Sequence, residues 1–289
     1  MKIGAIYPQI ELRGDPQAVR KIGLAVDEAG FDHLLVYDHV VGAVHQGREP
    51  ALTGPYTEND PFHDPFVMLS YLAAITTRIE LVTGVLILPQ RQTVLAARQA
   101  ADLDLLSNQR FRMGVGIGWN YVEYEVLGED FATRGKRSEE QIAVLRALWK
   151  GGVTSFDGAF HKLDRVALNP APKRQIPIWL GGSAEVALRR AARSADGFIF
   201  VDIGGDHFGQ LEMLKGFLAE EGRSLDGFGL QYISYKGHTP DQLVEVVERW
   251  RDAGGTHIGI NPMSLGFDTA EAHIGYFQAC LAKLRASGF

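Results

Sequence analysis

Phe111-Arg112-Met113-Gly114-Val115-Gly116-Ile117-Gly118-Trp119-Asn120 reads as a short buried strand that runs straight into a glycine-rich turn and a polar helix start. Glycines at 114, 116 and 118 permit either a close backbone approach or a positive φ. A strand, an N–H-rich turn and a helix N-terminus in that order form an anion site. A phosphate-bearing cofactor is one reading and a plain tight turn the other. The arrangement returns in Ile176-Pro177-Ile178-Trp179, which leads into Leu180-Gly181-Gly182-Ser183.

Outward from that stretch, strand-like and helix-like segments alternate along the whole chain. Upstream, strands at 3–7, 33–37 and 79–85 alternate with helices at 16–29, 65–76 and 93–106, the first helix stopped by Gly30 as a C-cap. Downstream come a short helix at 122–127, a longer one at 138–149 and a hairpin over 153–161 turning at Asp157-Gly158. A proline-rich connection at 169–177 precedes strands at 178–180, 197–201, 229–235 and 257–260, with helices at 184–193, 207–221, 240–253 and 269–286. Short, continuously apolar strands such as 79–85 suit a parallel sheet buried on both faces. Eight strands, each followed by a helix, predict an α/β fold: a (β/α)8 TIM barrel with insertions after strands 2 and 4, spanning 1–289 as one domain. An open doubly wound sheet split near residue 170 is the competing topology, and the strand that follows within a few residues argues against a linker there.

The 289 residues are 46% hydrophobic and 22% charged, a globular composition with a sizeable core. A net charge of −6 without a lysine/arginine run argues against nucleic acid or an anionic membrane as partner. A lone Cys280 excludes a disulfide framework and a cysteine-rich metal site. The N-terminus is strand-like rather than leader-like, and no apolar run reaches membrane-spanning length, so a cytoplasmic protein is expected.

On such a barrel the active site lies at the C-terminal strand ends. Those ends read Tyr7-Pro8-Gln9, Tyr37-Asp38-His39, Gly84-Val85-Leu86, Gly116-Ile117-Gly118, Gly181-Gly182-Ser183, Asp202, Tyr235 and Asn261. They lack the carboxylate–histidine cluster of a catalytic metal, and strands 2 to 6 offer no Schiff-base lysine. Asp38-His39 is the best candidate for chemistry: His39 can move a proton near neutrality, while Asp38 orients it or caps a turn. Gly84 inside an apolar strand implies a bulge or a close ligand approach, with core packing as the alternative. His45, His63, His161, His207 and His257 have no comparable context and read as structural or solvent-facing.

An ordered series of motifs carries a family resemblance. It comprises Gly30-Phe31-Asp32, Tyr37-Asp38-His39-Val40, Thr83-Gly84-Val85-Leu86-Ile87-Leu88-Pro89-Gln90-Arg91 and Leu103-Asp104-Leu105-Leu106-Ser107, then the strand at 112–120. Phe131-Ala132-Thr133-Arg134-Gly135, Leu180-Gly181-Gly182-Ser183 and the run from Arg189 to Gly197 complete it. The chain thereby resembles the luciferase-like monooxygenase superfamily over residues 1–200, most closely its branch that uses the deazaflavin coenzyme F420. The resemblance implies a deazaflavin or flavin ring over the barrel mouth, with a non-proline cis peptide at Gly84-Val85 forming a bulge behind it. It places the phosphate against the turn of Leu180, Gly181, Gly182 and Ser183, and sets Gly116, Ile117 and Gly118 along the ribityl chain and ring edge. His39 would face the substrate as acid or base, with Asp38 near the ring, and the assembly would be a homodimer. Trp119 stands where the sugar-phosphate-oxidising branch has a glutamate, so that reaction is not expected.

The expected activity is hydride transfer between F420 and a small organic substrate. The nearest alternative is an FMN-dependent monooxygenase that takes reduced flavin from a separate reductase and uses oxygen. From another class comes a non-catalytic flavin- or deazaflavin-binding protein. A basic groove built from Arg13, Arg48 or Arg91 would favour F420, whose tail is acidic. The segment at 41–61, with Tyr56 and the nearby Phe62, reads as a lid, a static cover or a dimer contact.

Overall fold

Alternation of side chains along short strands builds this molecule, whose computed structural model describes residues 1–201, 205–233 and 237–289. The first half runs β1 (Lys2–Ile6), α1 (Pro16–Ala29), β2 (His33–Val36), α2 (Pro65–Ile75), β3 (Glu80–Thr83), β4 (Leu86–Ile87), α3 (Thr93–Leu106) and β5 (Phe111–Gly116). Next come α4 (Tyr121–Val126), α5 (Arg134–Trp149) and a hairpin of β6 (Thr154–Asp157) and β7 (Lys162–Val166). The chain then continues through β8 (Ile178–Gly181), α6 (Glu185–Ser194), β9 (Gly197–Val201) and α7 (His207–Glu220). It closes with β10 (Gly229–Ile233), α8 (Pro240–Asp252), β11 (His257–Ile260) and α9 (Ala270–Ala286).

All pairings in the main sheet are parallel, in the order β3-β2-β1-β11-β10-β9-β8-β5, and β5 pairs back onto β3. The sheet is therefore a closed barrel of eight positions, one of them shared by β3 and β4. Odd and even residues divide the core. Leu34, Val36, Leu81, Phe111, Met113, Val115, Ile178, Leu180, Phe198 and Phe200 pack outward beneath the helices. Leu35, Val82, Trp179, Ile199 and Ile233 fill the interior with Ile6 and Met263. At the lower end Arg112 reaches Glu80 at 3.0 Å and Gln231 at 2.8 Å, and its guanidinium lies 3.9 Å from the Trp179 ring centre.

Local chemistry sets the element ends. In α1 the Asp15 side chain accepts from Gln17 N–H, Pro16 opens the first turn, and Gly30 closes the helix at φ 91°. Ala18, Val19, Ile22 and Val26 form its buried stripe. The cis peptide and bulge expected at Gly84-Val85 are present and divide the strand expected at 79–85 into β3 and β4, and a Cβ on Gly84 would overlap the Leu35 side chain. Two expectations are corrected. The helix expected from 138 begins at Arg134, after a turn capped by Asp130. The hairpin turns over four residues rather than at Asp157-Gly158, because the Glu140 carboxylate accepts the Ala159 and Phe160 N–H groups at 2.8 Å each. Asp202 and Tyr235 lie outside the described residues. Among the described residues no helix is long and apolar enough to cross a membrane.

Candidate functional site

Val85 is the floor of the barrel mouth. It stands between β5 and β8, where Gly116 and Gly181 supply the walls. A Cβ on Gly116 would overlap Val85 Cγ2, and one on Gly181 would come 2.9 Å from Cγ1. Glycine here lets two strands close on the bulge and leaves a low, flat rim around a half-buried valine. The same applies one layer down, where a Cβ on Gly114 would run into the Thr83 carbonyl oxygen. The glycine spacing read first as a cofactor contact thus serves the neighbouring bulge as well. A flat ring fits the resulting floor, since nothing projects from positions 116 and 181 beside Val85.

Ile117, Gly118 and Trp119 continue half-buried from that rim, and the Ile117 carbonyl accepts from Tyr124 Oη at 2.7 Å. Across the mouth, Gly182 (φ 151°) and Ser183 are exposed just ahead of α6. The α6 N-cap residue is Ala184, whose side chain cannot satisfy the first N–H groups. Those amides, with Gly181, Gly182 and Ser183, match a phosphate. Leu180 points the other way, into the core beneath the helices, so only its backbone belongs to this turn.

Asp38 does not touch His39. Its buried carboxylate accepts from Ile87 N–H at 2.9 Å and from Arg91 Nη2 at 2.7 Å, and Arg91 Nη1 reaches Asp64 at 2.9 Å. Asp38 therefore ties the end of β2 to β4, beyond the bulge. Arg91 is consumed by the two carboxylates and offers no charge to a basic groove. Arg48 lies in the exposed segment with Nε on the Val44 carbonyl, and Arg13 is exposed at φ 50°.

The partner of His39 is Glu123. Its two carboxylate oxygens lie 3.2 and 3.3 Å from His39 Nδ1. The same carboxylate accepts from Val40 N–H at 2.8 Å, Val41 N–H at 3.3 Å and Gln90 Nε2 at 3.3 Å. Burial alone would push Glu123 up, but the hydrogen bond and charge of His39, the Val40 N–H and Gln90 hold it below its ordinary value. Sequence reasoning missed this residue. An acidic side chain in the first turn of α4, behind the Asn120 cap, already has an explanation in the helix dipole.

Aromatic rings wall the imidazole: Phe62 at 4.8 Å, Tyr56 at 5.1 Å and Trp119 at 5.7 Å between centroids. His45 joins this wall, its ring 6.1 Å from Trp119 and its Nε2 2.9 Å from the Tyr56 carbonyl. The 41–61 segment is pinned there, with Tyr121 Oη donating to the Pro50 carbonyl at 2.7 Å and Ala43 and Leu52 packed on Val122. Two other strand-end residues serve the backbone: Gln9 Oε1 accepts from Tyr37 N–H and Asn261 Oδ1 from Met263 N–H. His161 sits between Glu140 and Thr93, away from the mouth. Among the described residues no group of three or more His, Cys, Asp or Glu is placed to hold a metal ion.

A model of the luciferase-like monooxygenase family matches residues 4–274. Rv0940c of Mycobacterium tuberculosis is 34% identical over 252 residues, covering 85% of this chain and 86% of that one. The pyrimidine monooxygenase RutA of Allorhizobium ampelinum is 34% identical over 148 residues, 50% of this chain and 40% of its own. An F420-dependent secondary alcohol dehydrogenase, solved with an F420-acetone adduct, superposes at a TM-score of 0.77 with 15% identity, covering 98% of this chain and 99% of that one.

Proposed function

The chain belongs to the luciferase-like monooxygenase family, and on that premise we propose an oxidoreductase that transfers a hydride between coenzyme F420 and a small organic substrate. The observation that carries this reading is the juxtaposition at one mouth of a flat Val85 floor and a histidine held by a buried carboxylate. When bound, the deazaflavin supplies a hydride donor or acceptor. Gly181, Gly182, Ser183 and the first amides of α6 would hold its phosphate, and Gly116, Ile117, Gly118 and Val85 would border the ring. His39 gives or takes the proton that must accompany hydride movement at the substrate. Asp38 acts as an anchor for the bulge rather than at the reacting atoms. Tyr56, Phe62 and Trp119 exclude water from the imidazole, which strengthens its electrostatics.

The second reading is an FMN-dependent monooxygenase supplied with reduced flavin by a separate reductase. The 34% identity to a pyrimidine monooxygenase over 148 residues favours it, as does the engagement of Arg91 with Asp38 and Asp64. Parallel titration with F420 and FMN, read by tryptophan fluorescence, separates the two. Selective F420 binding supports hydride transfer, FMN preference supports the oxygen-using reading, and binding of neither rejects both. We propose a homodimer as the assembly, which light scattering tests against the 31.8 kDa chain mass.

A further inference from the structure

We propose that Glu123 is the positioning residue of this site: it holds His39 as the Nδ1–H tautomer and ties the root of the 41–61 segment to the same carboxylate. An ionised carboxylate only accepts hydrogen bonds. Glu123 takes the N–H groups of Val40, Val41 and Gln90 as well as the imidazole, and these contacts together hold it below its ordinary value, as the acceptor-only carboxylate. The hydrogen shared between His39 and Glu123 therefore sits on Nδ1, at 3.2 and 3.3 Å from the two oxygens. Nε2 is left as the basic atom of the ring. This is the second-shell logic by which a carboxylate fixes a working histidine. Use of Nε2 in proton transfer rests on the proposed function, whereas the tautomer does not.

The two halves of the proposal share one group for a structural reason. Val40 and Val41 lead directly from His39 into the cover segment, so a single carboxylate on α4 sets the imidazole and the hinge of its cover together. The neighbouring Gln90 Oε1 is buried without a hydrogen-bond partner, which gives the site a spare acceptor.

That spare acceptor makes Glu123→Gln an informative variant. The amide oxygen can keep the Val40 and Val41 N–H groups, while the amide NH2 turns to Gln90 and His39. Nδ1 must then accept, and the ring switches to the Nε2–H form with the fold intact.

The experiment is long-range ¹⁵N–¹H imidazole spectroscopy on the full chain without cofactor, with His39→Asn assigning the signal. We expect Nδ1–H in the wild type and Nε2–H in Glu123→Gln. An Nε2–H wild type, or the same tautomer in both proteins, overturns the tautomer assignment. Should Glu123→Gln lose its near-ultraviolet dichroism, the wild-type spectrum alone decides. Glu123→Ala reads the second half through trypsin cleavage after Arg48, expected to rise at least tenfold while Glu123→Gln stays near wild type. Equal cleavage of Glu123→Ala and wild type removes the tether. Because no cofactor enters either assay, failure here and failure of the F420 assignment are separate results.

Discussion

Asp38 and Arg91 meet at 2.7 Å, the carboxylate closed to solvent and the guanidinium nearly so, with Asp64 on the other guanidinium nitrogen. The sequence places Asp38 beside His39 and invites a catalytic pair, but the carboxylate turns away to fasten β2 to Ile87 and Arg91. Breaking a buried ion pair by removing one partner costs about 3–5 kcal/mol, because a lone charge stays behind. Asp64 keeps Arg91 partly compensated, so Asp38→Ala is expected to lose stability at or below the lower end of that range in urea unfolding. His39→Ala should instead keep stability and cofactor affinity while turnover falls by about 10²–10⁴. Equal turnover loss per folded molecule in the two variants would return Asp38 to the chemistry.

Val85 and its two glycine neighbours give a rescue experiment. Gly116→Ala forces a methyl into Val85 Cγ2, tilting the floor on which the ring is proposed to lie. Cofactor affinity should fall at least tenfold with a modest loss of stability, since overpacking typically costs about 1–3 kcal/mol. Val85→Ala in the same chain removes the colliding atom and should restore much of the affinity. A double variant no better than Gly116→Ala would show that the floor lies elsewhere.

How much of this was legible in the sequence depends on the range of the forces involved. The barrel was readable because the alternation of strands with helices and short, continuously apolar strands are local signals, and α1, α3 and β9 fall where periodicity, caps and glycines put them. Gly84 inside an apolar strand already hinted at a bulge, while the cis peptide at Gly84-Val85 came from the family resemblance. The pairing of His39 with Glu123 was not readable, since 84 residues separate them and a first-turn glutamate carries no mark of a distant partner. The direction of the Leu180 side chain was missed for the opposite reason. It adjoins two glycines in sequence, and strand alternation sends it into the core.

The lower end of the barrel predicts an acid sensitivity unrelated to catalysis. Burial, then the Arg112 charge, holds His33 well below the ordinary 6.5 and brings His257 to about 3. Both values are lower folded than unfolded, so the unfolded chain takes up protons that the native barrel refuses. Stability is full above about 6.5 and is lost as pH falls from there toward 3. Each histidine contributes a slope of up to about 1.4 kcal/mol per pH unit. Glu123, whose folded value lies below 4.5, gives way only in more acidic solution, so pH 6 to 5 isolates the histidines. Guanidinium unfolding should show the slope; buried His273, brought to about 4, adds to it in the same window, so His257→Asn should remove roughly a third of it. A flat profile between pH 7.5 and 5 would contradict the burial of these rings as neutral species.

Gly54 and Trp119 define how tightly the cover is seated. Gly54 lies flat on the indole, where a Cβ would overlap the six-membered ring. The indole packs in turn on His39 and His45, so any side chain at position 54 must lift the segment or rotate the tryptophan. Gly54→Ala is therefore expected to expose Trp119, shifting its emission to longer wavelength and raising acrylamide quenching. Trypsin cleavage after Arg48 should accelerate, with little change in global stability because the barrel core is untouched. With the segment lifted, substrate should enter and leave faster while the proton step at His39 loses its dry wall, so kcat and KM change together. Unchanged emission and cleavage in Gly54→Ala would mean that the segment already stands off the indole in solution, and the aromatic enclosure of His39 would have to be abandoned.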